Sequence, residues 1–369
     1  MSSNNTIADI DWGFITETIK NEKCILFLGP ELFRDKNGFS LEEQMSNHLD
    51  IGNNPDIQSF YKEEGLFLFT SGIKKTKSYY KIKRFYNQDF REFENILKKL
   101  ARIPFHFIIS ITPDKKCSET FATLGFKSRF AFYWKKQSTS TSFGKPTTKN
   151  PVIYNIFGSI DRQDSMVLTH DDLFEYFESI FKENSMPEKL KLNLKEAHNF
   201  IFLGLNFDKW YMQILLRVLY LHNDKYEFMR YAANQQVSEE MKAFCYQQFK
   251  IEFIPTQLNE FVNELYRQCE KVGLIRQQEE NLHSAIDQLK SWLAQDKVED
   301  VLTGIGLYLD NFGELAKDLR DDVILLTNRH RRLNRKINLG VMDSKDIELE
   351  SNKIRLSLIE LLKEAGELE

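Results

Sequence analysis

Little in this 369-residue chain offers a covalent cross-link, a metal centre or a membrane anchor. Only four cysteines occur, Cys24, Cys117, Cys245 and Cys269, and they lie far apart. No CxxC pair and no Cys/His pairing has zinc-ligand spacing, so no bound metal is expected. Cys24 sits in an apolar run and reads as a buried thiol. No run of about 18 apolar residues is present, which excludes a membrane-spanning helix. Met1 to Asp11 is polar and acidic, without the basic flank and apolar stretch of a signal peptide. A cytoplasmic protein is the expectation. An excess of one charge is also missing. Lys and Arg number 50 against 54 Asp and Glu, a formal charge of −4, so a nucleic-acid polyanion is not expected as the main partner.

What is present is ordinary for a soluble globular chain, with 42% hydrophobic and 28% charged residues. Phenylalanine is the exception: its 30 copies predict an aromatic-rich core. The length suits two domains, since one commonly takes about 100 to 200 residues.

The pattern along the chain divides near residue 275. Before it, helical and strand-like segments alternate. Ile7 to Asn21 reads as an amphipathic helix leading into the apolar strand Cys24-Ile-Leu-Phe-Leu-Gly29. Leu41 to Leu49, Asp56 to Gly65 and Phe90 to Ala101 read as helices. Further strands are expected at Phe105 to Ser110, Val152 to Ile156, Asn199 to Gly204 and Phe249 to Ile254. Ser165 to Leu168 is short and extended; Thr169 then caps a helix with Asp171 and Asp172 in its first turn, and Trp210 to Leu221 is helical with Trp210, Tyr211, Leu215 and Leu216 as its core face. Short apolar strands alternating with helices predict an α/β fold with a doubly wound parallel sheet, whose ligands bind beyond the carboxyl ends of the strands. After residue 275 only helical periodicity remains. His283 to Gln295, Val298 to Leu309, Phe312 to Leu339 and Ser344 to Leu362 predict an all-α four-helix domain, with Gly340 and Ser344 as caps. The expected division is residues 1–275, a linker at 276–283, and residues 284–369.

Five strand-end signals follow in order: Gly29-Pro-Glu-Leu-Phe33, Ser110-Ile-Thr-Pro-Asp114, Asn155-Ile-Phe-Gly-Ser159, Leu168-Thr-His-Asp-Asp172 and Phe202-Leu-Gly-Leu-Asn-Phe-Asp208. This series resembles the sirtuin-like domains of bacterial defence proteins. Those carry a Gly-Ala-Gly loop, a Thr-Thr-Asn-x-Asp loop, a His-Gly-Ser loop, a Val-Leu-Thr strand before an acidic helix, and a Gly-x-Ser-x-x-Asp loop. The resemblance spans about residues 8 to 270. It implies a Rossmann-like fold, NAD as cofactor, and contacts from Gly29, Pro30, Glu31, Thr112, Gly158, Ser159, Gly204, Asn206 and Asp208.

The departures bear on chemistry. Glu31 brings negative charge to a phosphate-binding loop. The second loop lacks the asparagine that positions the ribose and attacking water. Phe157 stands where the family has its catalytic histidine, and a phenyl ring cannot accept a proton. Candidates for a rearranged catalytic site are Asp114, Asn155 and His106. Their alternative roles are turn stabilisation for Asp114 and Asn155 and a sheet histidine for His106. Asp208 has the alternative of capping the helix at Trp210.

The segment Val323 to Ile337 joins an apolar stripe to a basic face, and Asp343, Asp346, Glu348 and Glu350 follow on the next helix. Residues 284 to 364 resemble one class of effector-associated domains. That resemblance implies homotypic association and a homo-oligomer, with Arg329, Arg332, Arg335, Asp346 and Glu350 as candidate contacts. The alternatives are a hairpin whose charges satisfy each other, and nucleic-acid binding by the arginines, which the acidic neighbour disfavours. The function expected is a conflict-system component with a nucleotide cleft and weak or lost NAD hydrolysis. An active NAD-depleting enzyme and a ligand-free scaffold are the alternatives.

Overall fold

The structure, a computed structural model, describes residues 6–88, 91–136, 143–182, 186–219, 221, 230–234, 237–277 and 282–367. It divides into two compact units, Met1–Gln277 and Gln278–Glu369. The strands are β1 (Cys24–Leu28), β2 (Ile57–Tyr61), β3 (Leu66–Phe69), β4 (Phe107–Ser110), β5 (Arg129–Phe132), β6 (Val152–Asn155), β7 (Asn199–Leu203), β8 (Arg230–Ala233) and β9 (Ile251–Ile254). The helices of the first unit are α1 (Trp12–Lys20), α2 (Leu41–His48), α3 (Gly72–Tyr86), α4 (Arg91–Arg102), α5 (Lys116–Thr123), α6 (His170–Phe181), α7 (Glu188–Glu196), α8 (Trp210–Val218), α9 (Glu239–Phe249) and α10 (Leu258–Lys271). The second unit holds α11 (Leu282–Ala294), α12 (Val298–Leu309), α13 (Lys317–Asn338) and α14 (Ser344–Gly366).

Seven strands form one sheet in the order β5-β6-β4-β1-β7-β8-β9, and every neighbouring pair is parallel. The fold is α/β and Rossmann-like. The chain steps outward from β1 on one side, then returns to β7 on the other. That reversal lies between β1 and β7, where a crevice opens in doubly wound sheets.

Alternation along each strand gives the sheet two different faces. Leu26, Leu28, Ile108, Ile153, Ile201 and Leu203 point into a mixed aliphatic and aromatic layer shared with α1, α4, α5 and α10. Phe27, Phe107, Tyr154, Phe200 and Phe202 point the other way, into an aromatic layer completed by α6, α7, α8 and α9. The phenylalanines carried by the buried central strands thus favour one face, while helices and loops bring others, such as Phe93, Phe121 and Phe261, to the opposite layer. All four cysteines are buried free thiols, and burial pushes Cys24, Cys117, Cys245 and Cys269 above their usual range. No helix among the described residues is long and apolar enough to cross a membrane.

Several local expectations are corrected. Asp56 to Gly65 is not helical: Ile57–Tyr61 pairs antiparallel with Leu66–Phe69 as a separate two-stranded sheet. Ile57 is buried, Phe60 packs on the core and Tyr61 is exposed, and Gly65 at φ 75° lets the chain turn back into the second strand, which suits a hairpin. The first helix is interrupted: Ile7–Asp9 forms a 3-10 turn, and Asp11 caps α1 through the Phe14 amide. Trp210 is 37% exposed rather than core. In the second unit, Gly313 at φ 55° and ψ −131° breaks the expected long helix, so α13 begins at Lys317. Asp343, not Ser344, caps α14, accepting from the Asp346 amide, and Gly340 takes the expected left-handed conformation. The second unit packs around Ile305, Leu309, Leu326, Ile354, Leu358 and Leu362.

Candidate functional site

Strand register brings the predicted loops to one edge. Asn155, Ser110, Leu28, Leu203, Ala233 and Ile254 are successive partners across the sheet, so the loops that follow them emerge side by side. From there the two halves of the edge differ.

On the β4–β6 side the polar groups close on themselves. The Ser110 hydroxyl lies 2.8 Å from the Thr112 hydroxyl, and the Thr112 amide donates to Ser110 Oγ at 3.2 Å. Asn155 Nδ2 donates to the Asp114 carbonyl at 2.6 Å, and the Lys116 amide donates to Asp114 Oδ1 at 2.9 Å. Asp114 and Asn155 are 6% and 1% exposed. Burial pushes the Asp114 carboxyl up, against the opposing pull of the Thr112 hydroxyl and the Lys116 amide. Asp114 Oδ2 and Asn155 Oδ1 have no hydrogen-bond partner among the described residues. Gly158 has φ 91°, and a Cβ there would stand 2.1 Å from the Ser165 carbonyl oxygen. Ser159 is fully buried, its amide donating to Ser165 Oγ. Gly158 and Ser159 therefore close a turn.

Phe157 turns away from the edge into the aromatic layer. Its ring meets Tyr176 edge-on at 4.9 Å and Tyr211 at 6.0 Å. His106 is separated from Asp114 and Asn155 altogether. It precedes β4, at the amino end of the sheet, and four residues of strand place it roughly 13 Å from Ser110. Burial and the charge of Lys23 push its pKa down to about 4.

On the β1–β7 side the loops interlock by backbone. The Gly29 amide donates to the Leu203 carbonyl, and the Glu31 amide to that of Gly204. A Cβ on Gly29 would stand 2.2 Å from the Gly204 carbonyl oxygen. One on Gly204, at φ 72°, would stand 2.3 Å from the Leu32 nitrogen. The close approach that only glycine permits is made here between loops. Pro30, Leu32 and Phe33 form a buried 3-10 turn.

Beyond these loops opens a cavity of about 820 Å³, within the range of small-molecule sites. Of the predicted contacts, Glu31, Gly204, Asn206 and Asp208 line it, whereas Gly29, Pro30, Thr112, Gly158 and Ser159 do not. Asn206 is held by the Asp208 amide, which donates to its Oδ1 at 3.0 Å. Asp208 does not cap α8, where Lys209 occupies the cap position. Lys209 is buried and donates to Glu42 Oε1 at 2.7 Å. Burial works against its charge, but Glu42 outweighs this and pushes the ammonium up to about 12. Lys209 and Tyr211 also bond the Glu64 carbonyl, pinning the β2–β3 turn to the start of α8.

Sequence reasoning missed the rest of the lining. Arg34 and Lys36 supply cations, Phe93 and Ile96 an apolar wall, and Asn234 and Asn259 amides from beyond β8 and β9. Arg34 and Lys36 were findable, because they directly follow the first-strand loop. Arg34 pairs with Glu31, whose carboxyl is pushed up mainly by burial despite that neighbour.

In the second unit, Arg329 pairs with Glu350 at 2.9 Å and Lys353 with the same carboxylate at 2.8 Å. Two of the five candidate partner contacts are therefore engaged within the α13–α14 hairpin.

Among families of known proteins, residues 119–254 match the SIR2-like domain and residues 284–366 match effector-associated domain 11. The chain joins a SIR2-like domain to an effector-associated domain. The SIR2-like match covers β5 to β9 and the Gly204–Asp208 loop, while Gly29, Glu31, Thr112 and Asp114 precede it. No curated protein matches the chain. A SIR2-like domain joined to an effector-associated domain points to a component of a defence or conflict system, with protein–protein association through the C-terminal unit.

Proposed function

We propose that the SIR2-like domain holds an NAD-like dinucleotide in the cavity at the β1–β7 switch point and hydrolyses it weakly or not at all, while the effector-associated domain recruits or assembles the chain. The observation that carries this reading is the separation of the cavity from the catalytic candidates. Asn206, Asp208, Arg34 and Lys36 line the open space, whereas Asp114 and Asn155 are buried away from it, joined by one hydrogen bond from Asn155 to the Asp114 carbonyl, and Phe157 is packed between Tyr176 and Tyr211. Arg34 and Lys36 can meet a pyrophosphate, and Asn206 can bond a ribose or base edge. Among the described residues the cavity lining holds no histidine, and of its carboxylates Glu31, Asp35 and Asp208, Glu31 is paired with Arg34.

The purified full chain, incubated with NAD, is expected to show a raised melting temperature, because a ligand that binds only the folded state shifts that equilibrium. Free nicotinamide is expected to stay near the uncatalysed background. Rapid nicotinamide release would overturn the weak-hydrolysis reading. Absence of any shift with NAD and ADP-ribose would overturn the dinucleotide reading in favour of a scaffold.

A further inference from the structure

The outward face of α13 carries charges that make no ion pair among the described residues. Val323, Leu326 and Leu333 enter the core. On the opposite side Asp318, Asp321, Leu325, Asn328, Arg332 and Arg335 follow at steps of 3, 4, 3, 4 and 3, the spacing of one continuous helix stripe, and all six are exposed. Leu325 is 66% exposed at the centre of the stripe, and Ile324 beside it is 57% exposed. Acids occupy one end and arginines the other. Within one helix they cannot reach each other, since Asp321 and Arg332 are roughly 16 Å apart and Asp318 and Arg335 roughly 25 Å. Arg329, which pairs with Glu350, lies off this stripe toward α14.

We propose that α13 is a self-association helix, pairing antiparallel with α13 of a second copy of this chain. Reversing the helix sets Asp318 opposite Arg335, Asp321 opposite Arg332, and Leu325 opposite Asn328. A two-fold axis repeats each pair, so a single stripe is complementary to itself. Parallel pairing would set like charges together. A seam with a small apolar centre and exposed ion pairs gives a weak, salt-sensitive contact that fixes orientation and partner choice. A purely structural role, in which the charges complement the helix dipole, accounts for Asp318 and Arg335 near the ends but not for Asp321 and Arg332 further in. The inference rests on the reading of the C-terminal unit as an association module and names its partner and surface.

The test is sedimentation velocity on the full chain over a range of protein and salt concentrations. Wild type is expected to self-associate at low salt and to dissociate as salt rises. The double variants R332E/R335E and D318K/D321K are each expected to weaken self-association by on the order of tenfold, since several pairs are replaced by like charges. Mixing the two variants is expected to restore association as a heterodimer, an outcome that loss of folding in either cannot produce. Self-association that persists unchanged in both variants would overturn this seam while leaving assembly through another surface intact. A wild-type chain that stays monomeric at low salt overturns it too, and a chain that also recruits no other protein removes the association reading itself.

Discussion

On one side of β1, Ser110, Thr112, Asp114 and Asn155 bond one another and are buried; on the other, Asn206, Asp208 and Asn234 border a cavity of about 820 Å³. Both groups are small polar residues placed at strand ends by the same parallel register. What separates them is the backbone around them. The β4 and β6 loops fold back on Pro113 and Ser165, which leaves their side chains facing protein. The β1 and β7 loops lock together through Gly29 and Gly204, and the side chains beyond them face outward. Polarity at a strand end therefore does not by itself mark a ligand contact.

The interlock is where this contrast breaks most severely. Gly204→Val places a branched side chain at φ 72° and against the Leu32 backbone, and is expected to cost about 3 kcal/mol or more in urea unfolding of the first unit. The β1–β7 loops would separate, so nucleotide affinity is expected to fall with it.

An intermediate effect concerns the amino end of the sheet. His106 is held neutral by burial, with its pKa lowered from 6.5 to about 4. The unfolded chain takes up the proton first, so this group makes the fold lose stability as pH falls from about 6.5 toward 4. His106→Leu is expected to flatten that part of the stability–pH curve without changing nucleotide binding. A loss of binding in this variant would return His106 to the site.

The smallest effect belongs to Glu31. Burial raises its carboxyl above the ordinary range, so the contribution of this group is present at acid pH and is lost as pH rises through the raised value. Glu31→Gln removes that dependence and is expected to change stability at neutral pH by under about 1 kcal/mol, because the Arg34 pairing is lost at the same time. Affinity for a phosphate-bearing ligand is expected to rise by a few fold, measured by calorimetry, as a negative charge leaves the cavity.

Much of the frame was legible in sequence because buried parallel strands are uninterrupted apolar runs: Cys24–Leu28, Phe107–Ser110, Val152–Asn155 and Asn199–Leu203 are all fully buried. The strands Arg129–Phe132 and Arg230–Ala233 escaped notice, since each opens with arginine and is only four residues long. The mixed apolar and acidic composition of Asp56 to Gly65, which holds the first strand and turn of the hairpin, fits either period over so short a span and so suggests a helix. Site residues were legible only as far as strand ends could be found. Asn206 and Asp208 follow a recognisable strand, Asn234 follows one that was not recognised, and no local pattern distinguishes Asn155, which is turned inward, from Asn206, which borders the cavity.

The most direct measurement is calorimetric titration of NAD into three full-length proteins: wild type, Asn206→Ala and Asn155→Ala. Wild type is predicted to bind, Asn206→Ala to bind on the order of tenfold more weakly through loss of a hydrogen bond to the ligand, and Asn155→Ala to bind like wild type while melting earlier. Binding abolished by Asn155→Ala in a folded protein, with Asn206→Ala unaffected, would place the ligand on the closed half of the edge and contradict the account.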